Sequence, residues 1–326
     1  MSIVSVLGVD PRAYVKHALH AEGSLWVEKN CYADLWIELL HAQRLDPLPL
    51  LAFSLALDFV GDQWTFFKPP HEDLHTLYGL DVQELNVWRT LAEHAALHLS
   101  AGRLVLTEAD AFYLPDTAGT DYGRQHTKTT IALETLDVEA RRLGYFHNSG
   151  YYTLEGADFD GVFRRGGTWD ANVLPLFAEW VNLERLERHA PDELRARSRR
   201  LLAHHLRRRP TQNPCARFAE RFGQDVDGLR TVGIDTYHAY AFATLRQVGA
   251  NFELAAAYLR WLDGGASSGL VRAATELESI SSAAKTLILK GARSVAARKP
   301  ADFSELLGTM VTGWERGMAQ LVSDAG

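Results

Sequence analysis

Three side chains in this sequence have the groups that nucleophilic acyl chemistry needs: a thiol at Cys31, an imidazole at His126 and an amide at Asn148. A cysteine attacks carbonyls as its thiolate, and the unpaired N–H groups and positive dipole end of a helix favour that anion. Cys31 stands at such a helix start. Asn30 precedes it as an N-cap, and Leu35, Trp36, Leu39 and Leu40 then recur at helical spacing until Asp46-Pro47 stops the run. The backbone donors of that first turn, with Asn30 beside them, are candidates for holding an oxyanion. The plain alternative for a lone cysteine is packing at a helix end.

His126 lies just ahead of an apolar-alternating strand, and a hairpin with arms at 129–136 and 143–148 follows. If its turn centres on Asp137, His126 and Asn148 face each other across the arms, and the amide orients the imidazole. A shift of one residue in the turn replaces Asn148 by Phe146 or Gly150. His147 points to the other face and ranks below Asn148, while Asp110 and Asp121 are further orienting candidates.

A second motif competes. His71-Glu72-Asp73-Leu74-His75 matches the pattern in which His71 and His75 bind zinc and Glu72 activates water. Pro69-Pro70 put His71 in the first turn of its helix, whereas such sites lie inside long buried helices, and the nearest third ligands are Glu93 and His94. His94 and His98 share the same spacing among small and polar neighbours, as on an exposed face. Metallopeptidase chemistry is therefore the lesser reading, and the expected metal set is empty.

The elements that must position these groups fall into two halves. The 326 residues are enough for two domains, and 47% hydrophobic against 23% charged residues is the balance of a folded globular chain. Strand signals at 104–110, in the hairpin and at 151–154 precede leucine- and alanine-rich helical patterns at 192–208, 214–222, 236–248, 252–262, 270–290 and 303–321. The expected class is α+β, an antiparallel sheet domain at 1–166 and an all-helical domain at 167–326, with Gly166-Gly167 at the boundary and Gly264 to Gly269 a flexible connection. A net charge of −7 argues against a nucleic-acid binder. The longest apolar run, 48–57, contains Pro49 and is too short to span a bilayer. Residues 1–12 lack a basic segment leading into an apolar core, so a cytoplasmic location is expected, and two cysteines are too few for a disulfide framework.

The order Asn30-Cys31 at a helix start, Ala109-Asp110-Ala111-Phe112-Tyr113-Leu114-Pro115 closing a strand, His126 heading the next, and Leu143-Gly144-Tyr145-Phe146-His147-Asn148 resembles the butirosin-biosynthesis acyltransferase family. The whole sequence also resembles a bacterial family encoded beside amino-acid:carrier-protein ligases. The resemblance implies a papain-like fold in the first half and a helical second half. It implies that Cys31 takes an acyl or aminoacyl group from the phosphopantetheine thioester of an acyl carrier protein. His126 would be base and acid, Asn148 its orienting partner, and a small-molecule amine the acceptor, with no cofactor beyond the substrate's own arm. The sequence departs from the family in reading His147-Asn148 where an Asp ends the second strand. Arg199, Arg200, Arg207 and Arg208, within the run that also holds Arg195, Arg197 and Arg209, are candidates for docking the carrier, against the alternative of a solvated helix face. A peptidase or thioesterase on the same triad, or a non-catalytic carrier-binding module, are the neighbouring readings, and a homo-oligomer is compatible with all of them.

Overall fold

In the computed structural model, which describes residues 3–166, 175–266 and 269–325, the first half of the chain builds an antiparallel sheet and the rest is helical from Pro191 onward. The strands are β1 (Val4–Ser5), β2 (Phe59–Val60), β3 (Gln63–Trp64), β4 (Asp81–Glu84), β5 (Leu104–Asp110), β6 (Lys128–Asp137), β7 (Arg142–His147), β8 (Gly150–Glu155) and β9 (Ala178–Asn182). The helices of this half are α1 (Cys31–Ala42), α2 (His71–Tyr78), α3 (Leu91–Ser100) and α4 (Ala157–Val162). Then come α5 (Pro191–Arg207), α6 (Pro214–Val232), α7 (Ile234–Ala243), α8 (Leu245–Asp263), α9 (Gly269–Ala297) and α10 (Ser304–Ala325). The expected boundary at Gly166-Gly167 runs into residues 167–174, and the Gly264 to Gly269 connection includes residues 267 and 268, which lie outside the described residues. No helix among the described residues is long and apolar enough to cross a membrane.

The main sheet runs β4-β9-β5-β6-β7-β8, with β1 on β6, every pairing antiparallel. Its two faces differ. Val105, Ala109, Ile131, Leu133 and Tyr145 point into an apolar core with Leu91 and Ala95 of α3 and Phe159 of α4. Helix α1 packs over β6 and β7. Leu35, Trp36, Ile37, Leu39 and Leu40 are all buried, as are Asp34 and Glu38, so α1 is enclosed on every side and its polar residues need internal partners. His20 supplies them. Its Nε2 lies 3.0 Å from Asp34 Oδ1, its Nδ1 meets Glu38, and Glu38 also accepts from Tyr14. Burial disfavours the imidazolium, but the bonds to Asp34 and Glu38 outweigh it, so the His20 pKa is raised.

Glu134 performs the same service on β6. Its Oε1 accepts from Ser5 Oγ and Leu7 N, both at 2.7 Å, and its Oε2 from the Tyr151 hydroxyl at 2.6 Å, fastening residues 5–8 to the sheet. Burial opposes its charge, yet the donors from Thr135, Tyr151, Ser5 and Leu7 hold the carboxyl below its usual range.

By internal packing the chain divides into two units that are not contiguous. One takes 1–21, 31–47 and 71–188; the other takes 22–30, 48–70 and 189–326. Within the second, Asn251 Nδ2 donates to Ser54 O at 2.8 Å, Ser198 Oγ to Pro49 O at 3.1 Å, and Trp26 Nε1 to Ser281 Oγ at 2.9 Å. The Trp26 ring lies so close to Gly249 that a Cβ there would fall 2.4 Å from it, which is why α8 has no side chain at that position. Phe59 of β2 meets Phe218 of α6 edge-on at 5.5 Å.

Several expectations shift. A short β2-β3 pair, Phe59 facing Trp64, adds to the strands read from the sequence. The helix expected at 236–248 breaks at Thr244, whose hydroxyl donates back to Tyr240 O at 2.7 Å. Strand β9 forms where helical patterns were expected to take over, and β4 pairs with it.

Candidate functional site

Cys31 is the first residue of α1 and is partly exposed. Its Sγ lies 4.0 Å from Thr130 Oγ1 on β6. The ladder shows what else shares that face: Leu106 pairs with Ala132, Glu108 with Thr130, and Asp110 with Lys128, all pointing away from the Ile131 and Leu133 core. Asp110 is thus the diagonal neighbour of Thr130, about 7–8 Å away between backbones. Glu108 is occupied by Lys128, Nζ to Oε1 at 3.1 Å.

Asp110 holds His126. The ring Nδ1 donates to Asp110 Oδ2 at 2.5 Å while Asp110 Oδ1 accepts Phe112 N at 3.0 Å, and the imidazole stacks on Phe112 with centroids 4.5 Å apart. In the neutral ring this bond puts the proton on Nδ1 and leaves Nε2 as the acceptor. The side chain is 67% exposed, so Nε2 is reachable from solvent. The loop that delivers it is braced by Asp121, which accepts from Gln125 at 2.7 Å and Thr127 at 2.6 Å. Partial burial works against the Asp121 charge, but donors from Thr127, Thr120 and Gln125 prevail and lower its pKa.

Asn148 does not face His126. The hairpin pairs Ile131 with His147 and Ala132 with Phe146, so its turn centres later than Asp137, and the register shifts between Leu133 and Thr135. Asn148 instead occupies the two-residue turn between β7 and β8, at φ +45°, with His147 paired to Gly150. The group that orients His126 in this structure is Asp110.

His147 points to the opposite face from Cys31, into the core side. There it is almost fully buried, its Nδ1 2.6 Å from Asp116 Oδ2 and its Nε2 2.8 Å from Thr129 Oγ1, a clamp that ties the 3-10 turn Pro115–Thr117 to the hairpin. Asn30, beside Cys31 in sequence, is buried and its Nδ2 donates to Phe67 O at 2.7 Å.

The zinc-like motif forms a helix, α2, with its first histidine engaged elsewhere. His71 Nε2 lies 3.0 Å from the Tyr32 hydroxyl and 3.2 Å from Glu179 Oε1, and Tyr32 donates to Glu179 Oε2 at 2.8 Å. Burial, reinforced by Glu179, pushes the Tyr32 hydroxyl far above the usual phenol range, so it acts only as a neutral donor. His75 is exposed, and among the described residues no three His, Cys, Asp or Glu side chains group as metal ligands. His94 and His98 do not form an exposed face: His94 is buried and accepts Trp88 N at 3.3 Å, while His98 stacks on Trp180. Burial lowers the pKa of both, aided by Arg89 at His94 and Arg103 at His98. Sequence reasoning missed Tyr32 and Glu179. Adjacency to Cys31 was a signal for the first; nothing pointed to the second while β9 went unseen.

Of the arginines on α5, Arg199 and Arg200 are exposed, and so are Arg207 at its last turn and Arg208 just beyond. Arg199 Nη2 donates to Leu262 O at 3.1 Å.

Two family models match the chain, that of the DUF1839 N-terminal domain over residues 15–183 and that of the DUF1839 C-terminal domain over residues 191–323. No curated protein matches it.

Proposed function

The chain belongs to the DUF1839 family, and from that footing we propose that it is a cysteine-dependent acyltransferase whose working residues are Cys31, His126 and Asp110. The observation that carries this reading is a shared sheet face: Cys31 rests on Thr130, and the diagonal neighbour of Thr130 is the carboxylate that holds His126. The family resemblance read from the sequence supplies the substrate class, an acyl or aminoacyl thioester on the phosphopantetheine arm of a carrier protein.

In the first half-reaction His126 Nε2 takes the Cys31 proton as Sγ adds to the thioester carbonyl. The tetrahedral adduct collapses by breaking the bond to the pantetheine sulfur, which leaves with that proton, and a Cys31 thioester remains. In the second, an amine adds to the same carbonyl, His126 takes its proton, and Sγ departs and is reprotonated. Asp110 keeps Nδ1 protonated throughout, so that Nε2 is the atom presented. Donors at the start of α1 are suited to the oxyanion of both adducts. Water in place of the amine makes the same cycle a hydrolase.

The test is intact-mass measurement after mixing the protein with an aminoacylated carrier protein. An added aminoacyl mass in wild type, lost in Cys31→Ala, supports the acyl-enzyme. A stable carrier complex without any adduct would reduce the protein to a binding module, and chelator-sensitive turnover untouched by Cys31→Ala would transfer the chemistry to a metal.

A further inference from the structure

Most arginines along α5 and its exit are occupied within the chain. Arg195 pairs with Asp192 at 3.3 Å, Arg197 with Glu193 at 2.9 Å, Arg199 with Leu262 O at 3.1 Å, and Arg209 Nη1 with Leu206 O at 2.7 Å. Arg200, Arg207 and Arg208 are different: among the described residues none of their side chains has a hydrogen bond or ion partner. His204 between them meets the ring of His205 and no carboxylate. At helical spacing positions 200, 204, 207 and 208 share one face, while the buried Leu194, Ser198, Leu202 and Leu206 take the other. The stripe is about 12 Å long at 1.5 Å per residue.

A chain with net charge −7 has carboxylates to spare, yet its first-turn acids Asp192 and Glu193 lie at the far end of α5 from this stripe. We propose that the Arg200–His204–Arg207–Arg208 stripe is the docking face for a helix bearing carboxylates on a partner protein.

The observations favour that partner over other polyanions. Two turns of cationic helix match two turns of an acidic one, each guanidinium meeting a carboxylate. A nucleic acid needs a longer phosphate track than this short stripe provides. A membrane surface needs apolar side chains beside the cations, and no large exposed hydrophobic residue lies in α5. The inference does not depend on the chemistry assigned to Cys31.

The test uses the full chain and a fluorescein-labelled peptide of about 16 residues, long enough to hold a helix, with glutamates at i, i+4, i+7 and i+8 in an alanine background. Anisotropy should show binding at low salt that weakens as salt is raised. Arg200→Glu/Arg207→Glu/Arg208→Glu should lose about tenfold or more in affinity, with an unchanged thermal midpoint because the three side chains are solvent-exposed. If that variant does not fold, the triple Arg→Gln variant serves in its place. Cys31→Ala should bind as wild type does, which separates this surface from the proposed reaction. No binding at low salt, equal binding by the charge-reversed protein, or stronger binding of a thymidine oligonucleotide or of phosphatidylserine vesicles would each overturn the proposal.

Discussion

A carboxylate diagonal to Thr130 on the neighbouring strand changes which substitutions should matter. His126→Ala removes the imidazole to which the proposed mechanism assigns proton transfer and should slow transfer about 10²- to 10⁴-fold. Asp110→Asn should follow it in direction, because an amide no longer fixes the proton on Nδ1; single-turnover rates of acyl transfer measure both. Asn148→Ala should behave otherwise. A left-handed φ of +45° suits asparagine better than alanine, so the variant should lose about 1 kcal/mol of stability in urea unfolding and keep its transfer rate. A loss of activity comparable to His126→Ala would return Asn148 to the site. These residues also mark how far the sequence could be read. Cys31 at a helix start followed from a cap and a spacing, both local. Asp110 stood among several orienting candidates for His126, and choosing it over Asn148 needed the hairpin register, which one bulge between Leu133 and Thr135 helps to set.

Two buried polar networks attach the early segments of the first unit, His20 against α1 and Glu134 beneath residues 5–8. Their pH dependences have opposite signs. The His20 pKa is raised on folding, so its contribution is complete below the unfolded value of about 6.5 and is lost as pH climbs through the folded one. The Glu134 pKa is lowered, so its contribution is complete above about 4.5 and is lost as pH falls through the folded value. Their combined support is greatest between about pH 4.5 and 6.5. Thermal midpoints across pH should therefore decline on the alkaline side less steeply in His20→Gln, and on the acid side less steeply in Glu134→Gln, than in wild type. An identical alkaline slope in His20→Gln would mean that His20 binds no extra proton on folding. At this scale periodicity served the sequence reading well: α2, β5 and both hairpin arms stand where apolar spacing put them. It failed for β4 and β9, five residues or fewer each, whose identity as strands comes from pairing with each other and with β5 rather than from any pattern of their own.

Because the second unit draws on 22–30 and 48–70 as well as 189–326, neither half of the chain is self-sufficient. A fragment ending at residue 188 carries the 3-10 segment Leu48–Ala56 without the α8 and α5 residues that bind Ser54 and Pro49. That fragment should aggregate or bind a hydrophobic dye on gel filtration, and a cooperative, dye-free monomer would show that the segment finds other cover. Nothing in composition reveals this exchange, since an apolar run reads the same whichever core receives it. The crossing also sets an order in time. Ser54 leaves the ribosome 197 residues ahead of Asn251, the side chain that caps its carbonyl. At typical synthesis speeds this is a wait of about 10–40 s with a greasy segment uncovered. Production in cells should accordingly depend on a chaperone that tends nascent chains, and slower translation should lengthen that dependence.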